Sequence, residues 1–154
     1  MVKEILINII IVCIVFIGME GVAWFTHKYI MHGFMWNWHH SHHVPRKGRF
    51  EKNDLFAVVF SIPSIALFYY SSYYTPTFYL TSVAIGILAY GIFYFVFHDI
   101  IVHQRIPFKL KNKGKYLRRL IDAHYVHHEK HTKENCESFG FLFASKKFQK
   151  KDAR

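Results

Sequence analysis

Two cysteines and ten acidic residues are spread over 154 positions, and each scarcity removes a class of protein. Cys13 lies in an apolar run and Cys136 in a polar tail, which argues against a disulfide between them. Without a C-x2-C pair the chain has neither a zinc ribbon nor a dithiol redox site. It has no G-x-G-x-x-G and no visible flavin or haem motif, so reducing equivalents for any redox chemistry come from a partner. Acidic charge is outnumbered by 20 Lys and Arg, giving a net charge of +10 in a chain that is 52% hydrophobic. Apolar and basic residues are segregated, as in a membrane protein with one basic face. The basic stretch 45–49 lies between apolar spans, so it reads as a lipid-headgroup anchor, and no nucleic acid is expected as a partner.

What the chain has in quantity is long apolar runs. Residues 5–25 would span ~31 Å as a helix, enough to cross a bilayer. The run is too long for a signal-peptide core, contains Glu20 and is followed by no small-residue cleavage site, so it is expected to stay as a transmembrane helix. Residues 55–97 are almost uncharged, too long for one crossing and right for two. The segment 73–77, with tyrosines and Pro76, is the expected break, while Pro63 is expected to kink its helix without ending it. Trp36 and Trp38 suit the bilayer interface, and Asp54 suits the N-cap of the second span. The expected fold is a single all-α integral membrane domain, 1–154, with transmembrane helices at about 4–26, 55–74 and 77–97. The histidine-bearing segments 27–53 and 98–154 then form a head on one side. Two crossings between them return the chain to the same face, and that face carries 19 of the 20 Lys and Arg. By the positive-inside rule it is the cytoplasmic face. Residues 104–123 are expected on the membrane surface, helical from about Tyr116. The aromatic cluster Phe139, Phe141, Leu142, Phe143 is expected to pack back onto the head.

All twelve histidines fall in the two head segments. The first reads His27-Lys-Tyr-Ile-Met-His32, then His39-His40-Ser41-His42-His43; the second reads His98-Asp-Ile-Ile-Val-His103, then His124-Tyr-Val-His127-His128. Each half is H-x4-H followed by H-x2-H-H, giving ten histidines in two matched sets; His40 and His131 are left over. On a helix, residues i, i+3 and i+4 share a face, so His39, His42 and His43 are expected to meet at one point, as are His124, His127 and His128. An H-x4-H pair is about 140° apart on a straight helix, so its rings serve two neighbouring ions, or one ion if the helix ends between them. Two six-coordinate ions offer roughly twelve positions, leaving a couple open to substrate or oxygen. Imidazole-rich, thiolate-free coordination suits iron, copper, zinc or nickel. Two redox-active ions side by side can divide the four-electron reduction of O2 between them.

Three carboxylates sit where they can support such a site. Asp99 follows His98 and Asp122 precedes His124 by two, each able to orient a ring through its second nitrogen or to be an ordinary surface acid. Glu20, on the helical face of His27, is open to three roles: a pocket or supporting residue, an interfacial acid reaching water, or a ligand. Trp24, Phe25, Phe93, Tyr94 and Phe97 are candidates to line a lipid-soluble substrate's entry, against helix packing as the plainer role.

The histidine series, with Gly18-Met-Glu20, His27-Lys-Tyr-Ile-Met-His-Gly33, Ser41-His-His-Val-Pro-Arg-Lys-Gly48, Asn53-Asp-Leu55, His98-Asp…Val-His-Gln-Arg105 and Ser138-Phe-Gly-Phe-Leu142, resembles the membrane fatty-acid hydroxylase superfamily. Within it, the chain resembles the bacterial-type β-carotene hydroxylases over about residues 18–145. The resemblance implies two iron ions on the ten paired histidines, O2 as co-substrate and a ferredoxin-type electron donor. It implies hydroxylation of β-carotene at carbon 3 of each β-ionone ring, through cryptoxanthin to zeaxanthin, in the cytoplasmic membrane of a bacterium. His40 departs from the family's pattern, which has another polar residue such as Glu there. A sterol or fatty-acyl hydroxylase or desaturase is the runner-up. A metal transporter would want ionisable residues repeated through the spans, and 55–97 offers essentially none; a zinc hydrolase would want fewer histidines per ion and a carboxylate base.

Overall fold

Ile and Val surround the first apolar run on every side, and a helix apolar all round needs an apolar solvent. In the computed structural model, which describes residues 1–46, 48–74, 77–111 and 113–149, that run is helical from its second residue. Helix α1 (Val2–Phe25) continues as a wider helix over Thr26–Phe34. Then come a short α2 (Trp36–His39), 3-10 turns at His40–His42 and Lys52–Asp54, and α3 (Leu55–Tyr73). Helix α4 (Phe78–Tyr94) likewise widens, over Phe95–Val102, and α5 (Lys115–His128) follows. There is no strand among the described residues. Three stretches, Val2–Phe34, Lys52–Tyr73 and Phe78–Val102, are long and apolar enough to cross a membrane. The fold is the all-α membrane architecture that the hydropathy pattern predicts.

Helix α4 packs against both α1 and α3. Small residues let them approach: a Cβ on Gly86 would stand 2.7 Å from Val15 Cβ and 3.0 Å from the Val12 carbonyl oxygen. Hydroxyls join the helices where lipid offers no alternative partner. Ser64 Oγ donates to the Ala84 carbonyl at 2.9 Å, and Ser82 Oγ to Asn8 Oδ1 at 2.9 Å. The outward faces expose Ile9, Ile14 and Ile17 on α1, Ile62 and Ile65 on α3, and Leu88 and Ile92 on α4. Large aliphatic side chains so exposed on three neighbouring helices suit lipid as their surroundings.

At the head end, Phe97, Val102, Leu120, Ile121 and Phe141 form a buried apolar cluster joining α4's extension, α5 and the C-terminal tail. The expected return of the tail's aromatics is therefore seen for Phe141, while Phe143 is exposed. Helix α3 runs on through Pro63. The expected break at 73–77 falls between the end of α3 at Tyr73 and the start of α4 at Phe78; Thr75 and Pro76 within it lie outside the described residues, as does Lys47 of the basic stretch. Asp54 occupies the N-cap of α3 without bonding that helix; its carboxylate instead accepts the Glu51 amide at 3.0 Å, in a capping box around the preceding turn.

Gly86→Ala is expected to cost about 1–3 kcal/mol by forcing α1 and α4 apart. Gly91→Ala, whose Cβ would meet nothing within 4 Å, is the neutral control. Thermal unfolding in detergent micelles measures both.

Candidate metal centre

The histidine pairs five apart owe their meeting to a local change of helix. Where the backbone closes i→i+5 bonds instead of i→i+4, residues five apart come close to one face. The His103 amide donates to the His98 carbonyl at 2.9 Å, and the Met35 amide to the Ile30 carbonyl at 2.9 Å. The rings of His27 and His32 stand 5.2 Å apart, those of His98 and His103 4.5 Å. The helix therefore neither splits these pairs nor ends between them; it widens. At the first site the Thr26 hydroxyl bonds back to the Val22 carbonyl at 2.7 Å where the widening begins, a contact that bends helices. Gly33 (φ −100°, ψ −122°) then breaks the helical path and turns the chain into α2.

Ten imidazoles gather in two groups of five, with the donor atoms of each group within 4.8 Å of one another. One holds His27, His32, His39, His43 and His127; the other holds His42, His98, His103, His124 and His128. The expectation that each H-x2-H-H would aim three rings at one point is corrected. The i and i+4 histidines stay together, and the i+3 histidine crosses to the other group. On α5 the reason is angular: i+3 and i+4 lie on opposite sides of i, about 100° from each other, whereas His39–His43 runs from the end of α2 through a 3-10 turn. The groups abut, with His43 and His128 stacked at 4.5 Å and His127 and His128 at 5.5 Å. His40 and His131 are exposed and belong to neither group.

In the first group every ring has its Nδ1 proton assigned by its surroundings. His27 donates to the Phe139 carbonyl at 2.9 Å, His32 to Lys133 at 3.1 Å, His43 to Lys130 at 2.8 Å and His127 to Glu137 at 2.9 Å. His39 donates to Asn53 Oδ1 at 2.7 Å. A carbonyl oxygen can only accept, so each Nδ1 keeps the proton and each Nε2 keeps a lone pair. These Nε2 atoms approach one another at 3.0 Å (His27–His39), 3.1 Å (His32–His127) and 3.2 Å (His39–His43). Lone pairs so close repel unless a cation stands among them. The donor set therefore fits a metal ion, and carbonyl-anchored histidine is the usual companion of one.

The second group closes similarly, with Nε2 atoms of His42 and His98 at 2.8 Å and of His103 and His124 at 3.0 Å. Its backing differs. His42 Nδ1 donates to Glu51 Oε1 at 3.2 Å and His98 Nδ1 to Asp99 Oδ2 at 3.4 Å. Asp122 is half-buried on α5, and the Nδ1 of His124 that it was expected to orient is buried without a hydrogen-bond partner. Buried His128 Nε2 is also unpartnered, as suits an atom kept for a ligand.

Burial holds these rings neutral, which a ligand requires. It pushes His43 down to about 4, against the pull of the Lys130 carbonyl. Burial and then the neighbouring His43 take His127 down to about 3. His39, His42, His124 and His128 are likewise lowered, by burial first.

Glu20 touches no histidine. Its Oε1 accepts the backbone amides of Phe141 at 2.8 Å and Leu142 at 2.9 Å, and Oε2 accepts the Tyr90 hydroxyl at 2.7 Å. It anchors the tail, and Gly140 is required beside it because a Cβ there would run into the carboxylate. Ser138, in the left-handed region at φ 62°, turns the same loop, and the residues on either side of it, Glu137 and Phe139, present their carbonyls to His127 and His27. These backbone acceptors, with Asn53, Glu51 and Arg105, are the functional groups that side-chain pattern reading missed; only the quoted Asn53-Asp-Leu55 and His-Gln-Arg105 segments signalled some of them. The five aromatic candidates do not form one wall. Trp24 and Phe25 lie exposed against Tyr29, whereas Phe97 is buried in the head cluster, Phe93 stacks on Phe97, and Tyr94 stacks on His98 at 4.6 Å. Trp36 packs on His32 and His43, at 5.1 and 5.2 Å between ring centroids.

Three apolar helices capped by two abutting sets of five imidazoles define a histidine-cluster membrane protein whose donor sets fit metal ions. The chain belongs to the fatty acid hydroxylase family, whose pattern it matches over residues 12–145, and it is a hydroxylase. It is 53% identical to a β-carotene hydroxylase of Pantoea ananas over 137 residues, 89% of this chain and 77% of that protein. A β-carotene hydroxylase of Pseudescherichia vulneris is 50% identical over 92% of this chain and 79% of its own. One from Paracoccus sp. (strain PC1) is 43% identical over 82% and 77%. No solved structure matches.

Gly140→Ala is expected to free the tail from Glu20, so that trypsin cuts at Lys130 and Lys133 several-fold faster than in the wild type. For the pH dependence, folded values below the ordinary 6.5 mean that the unfolded chain binds protons first as pH falls. Stability of the metal-free protein is therefore full above about pH 6.5 and declines through the window down to about 4 and 3. Unfolding temperature measured from pH 8 to pH 4 checks the sign.

Proposed function

We propose that this chain is a non-haem di-iron monooxygenase that hydroxylates the β-ionone rings of β-carotene at carbon 3, giving β-cryptoxanthin and then zeaxanthin. The supporting observation is the sustained identity to three bacterial β-carotene hydroxylases across most of the chain. The site fits the reading. One iron would be held by His27, His32, His39, His43 and His127, the other by His42, His98, His103, His124 and His128. When bound, the irons supply the redox chemistry that activates O2 for insertion into an unactivated C–H bond. The protein's part is to keep the imidazoles neutral and aimed. Carbonyls of the tail hold four Nδ1 protons outward, Asn53 holds a fifth, and burial excludes water from the rings.

The substrate reading agrees with placement. A C40 hydrocarbon dissolves only in lipid, and both wide helices reach the histidine groups directly from apolar spans. Tyr94 and Phe141, stacked on the rings of His98 and His27, offer aromatic surface beside the imidazoles. Electrons come from a partner, and the resemblance to the β-carotene hydroxylases makes a ferredoxin-type donor the reading. The head faces the cytoplasm of a bacterial inner membrane, a reading supported by the concentration of Lys and Arg on its side.

Expression in a β-carotene-producing bacterial host, with pigment chromatography, tests the proposal. Zeaxanthin is expected from the wild type and none from His127→Ala or His42→Ala. Unchanged β-carotene with the wild-type protein present in the membrane overturns the carotenoid assignment.

A further inference from the structure

The two histidine groups differ in what stands behind them. The first is backed only by neutral acceptors, four backbone carbonyls and the Asn53 amide. The second is backed by the carboxylates of Glu51 and Asp99. One guanidinium ties them together: Arg105 Nε reaches Asp99 Oδ1 at 2.9 Å, Nη1 reaches Asp54 Oδ1 at 2.7 Å, and Nη2 reaches Glu51 Oε1. Gln104, in the left-handed region at φ 51°, makes the turn that brings Arg105 back, and the Arg105 amide donates to the Asp99 carbonyl at 2.8 Å. Three carboxylates against one guanidinium leave this contact network negative, and its histidine contacts go to the second group alone. A carboxylate behind an imidazole makes that imidazole a stronger donor to metal, whereas a neutral carbonyl does so less.

We propose that Glu51, Asp99 and Arg105 form a positioning network acting on one metal position only, that of His42, His98, His103, His124 and His128, so that the two ions are chemically unequal. The inference rests on the two-ion reading above. Its competitor is a plain brace: Arg105 would clip the 3-10 turn to the end of the wide helix and serve the whole head. The geometry separates the two, because the same turn carries Asn53, the acceptor for His39 of the other group. A loosened brace weakens both groups; a lost charge weakens one.

The test uses the full chain in detergent micelles, loaded without oxygen with Mössbauer-active ferrous iron and then titrated with a chelator. The wild type is expected to hold two irons per chain with two distinct quadrupole doublets, released separately. Glu51→Gln and Asp99→Asn keep side-chain shape and remove charge. Each is expected to shift one doublet and make its iron about 10- to 100-fold easier to remove, leaving the other unchanged. His32→Ala, which strikes the opposite doublet, assigns them. A single doublet in the wild type, equal weakening of both irons, or no change in either overturns the proposal. Fewer than two irons per wild-type chain defeats the two-ion reading itself, before any variant is compared.

Discussion

The head of this protein depends on where ten imidazoles keep their protons. A buried ring with both nitrogens unpartnered is costly, and a ring with both nitrogens protonated repels metal. The fold resolves this in the first group by giving every Nδ1 an acceptor, which leaves every Nε2 bare and facing its neighbours. The acceptors come from the loop around Asn53 and from the tail between Lys130 and Phe139. The tail is held by Glu20 of α1, so a carboxylate in the membrane-spanning helix governs the orientation of rings it never touches. In the second group two rings, His42 and His98, find carboxylates locked by one arginine, while the Nδ1 of His124 stays without an acceptor.

Membrane spans were readable in the sequence because bilayer burial demands long uncharged runs, and no tertiary detail alters that demand. The identity of the ten histidines was readable for a related reason: a spacing pattern that occurs twice points to a shared constraint. Their grouping was not. Reading H-x4-H at 100° per residue presumes an ordinary α-helix, and the backbone at Thr26–Phe34 and Phe95–Val102 abandons that geometry. At the first site Thr26 gives a faint local cue; at the second, the residues Phe95–Val102 give none. Likewise the H-x2-H-H face holds only its i and i+4 members, because the opposing segment supplies the third from across the head.

What pattern reading could not reach was mostly backbone. Carbonyls at Lys130, Lys133, Glu137 and Phe139 leave no mark in a list of side chains, since any residue offers the same oxygen. The nearest visible traces are Gly140, which must be small beside Glu20, and Ser138, which must turn left-handed. Glu51 and Arg105 were visible as letters, but an acid in a basic connector looks like surface until the chain folds the two together.

The exchange of His42 and His127 between the two halves bears on how the molecule comes to exist. A ribosome delivers His27, His32, His39 and His43 early, yet their fifth partner arrives on α5 and their carbonyl supports arrive later still, on the tail. Neither half of the chain can complete a metal position alone. Both positions are therefore finished together, when α5 delivers His127 and His128, and a chain interrupted before His98 holds four rings of one set and one of the other.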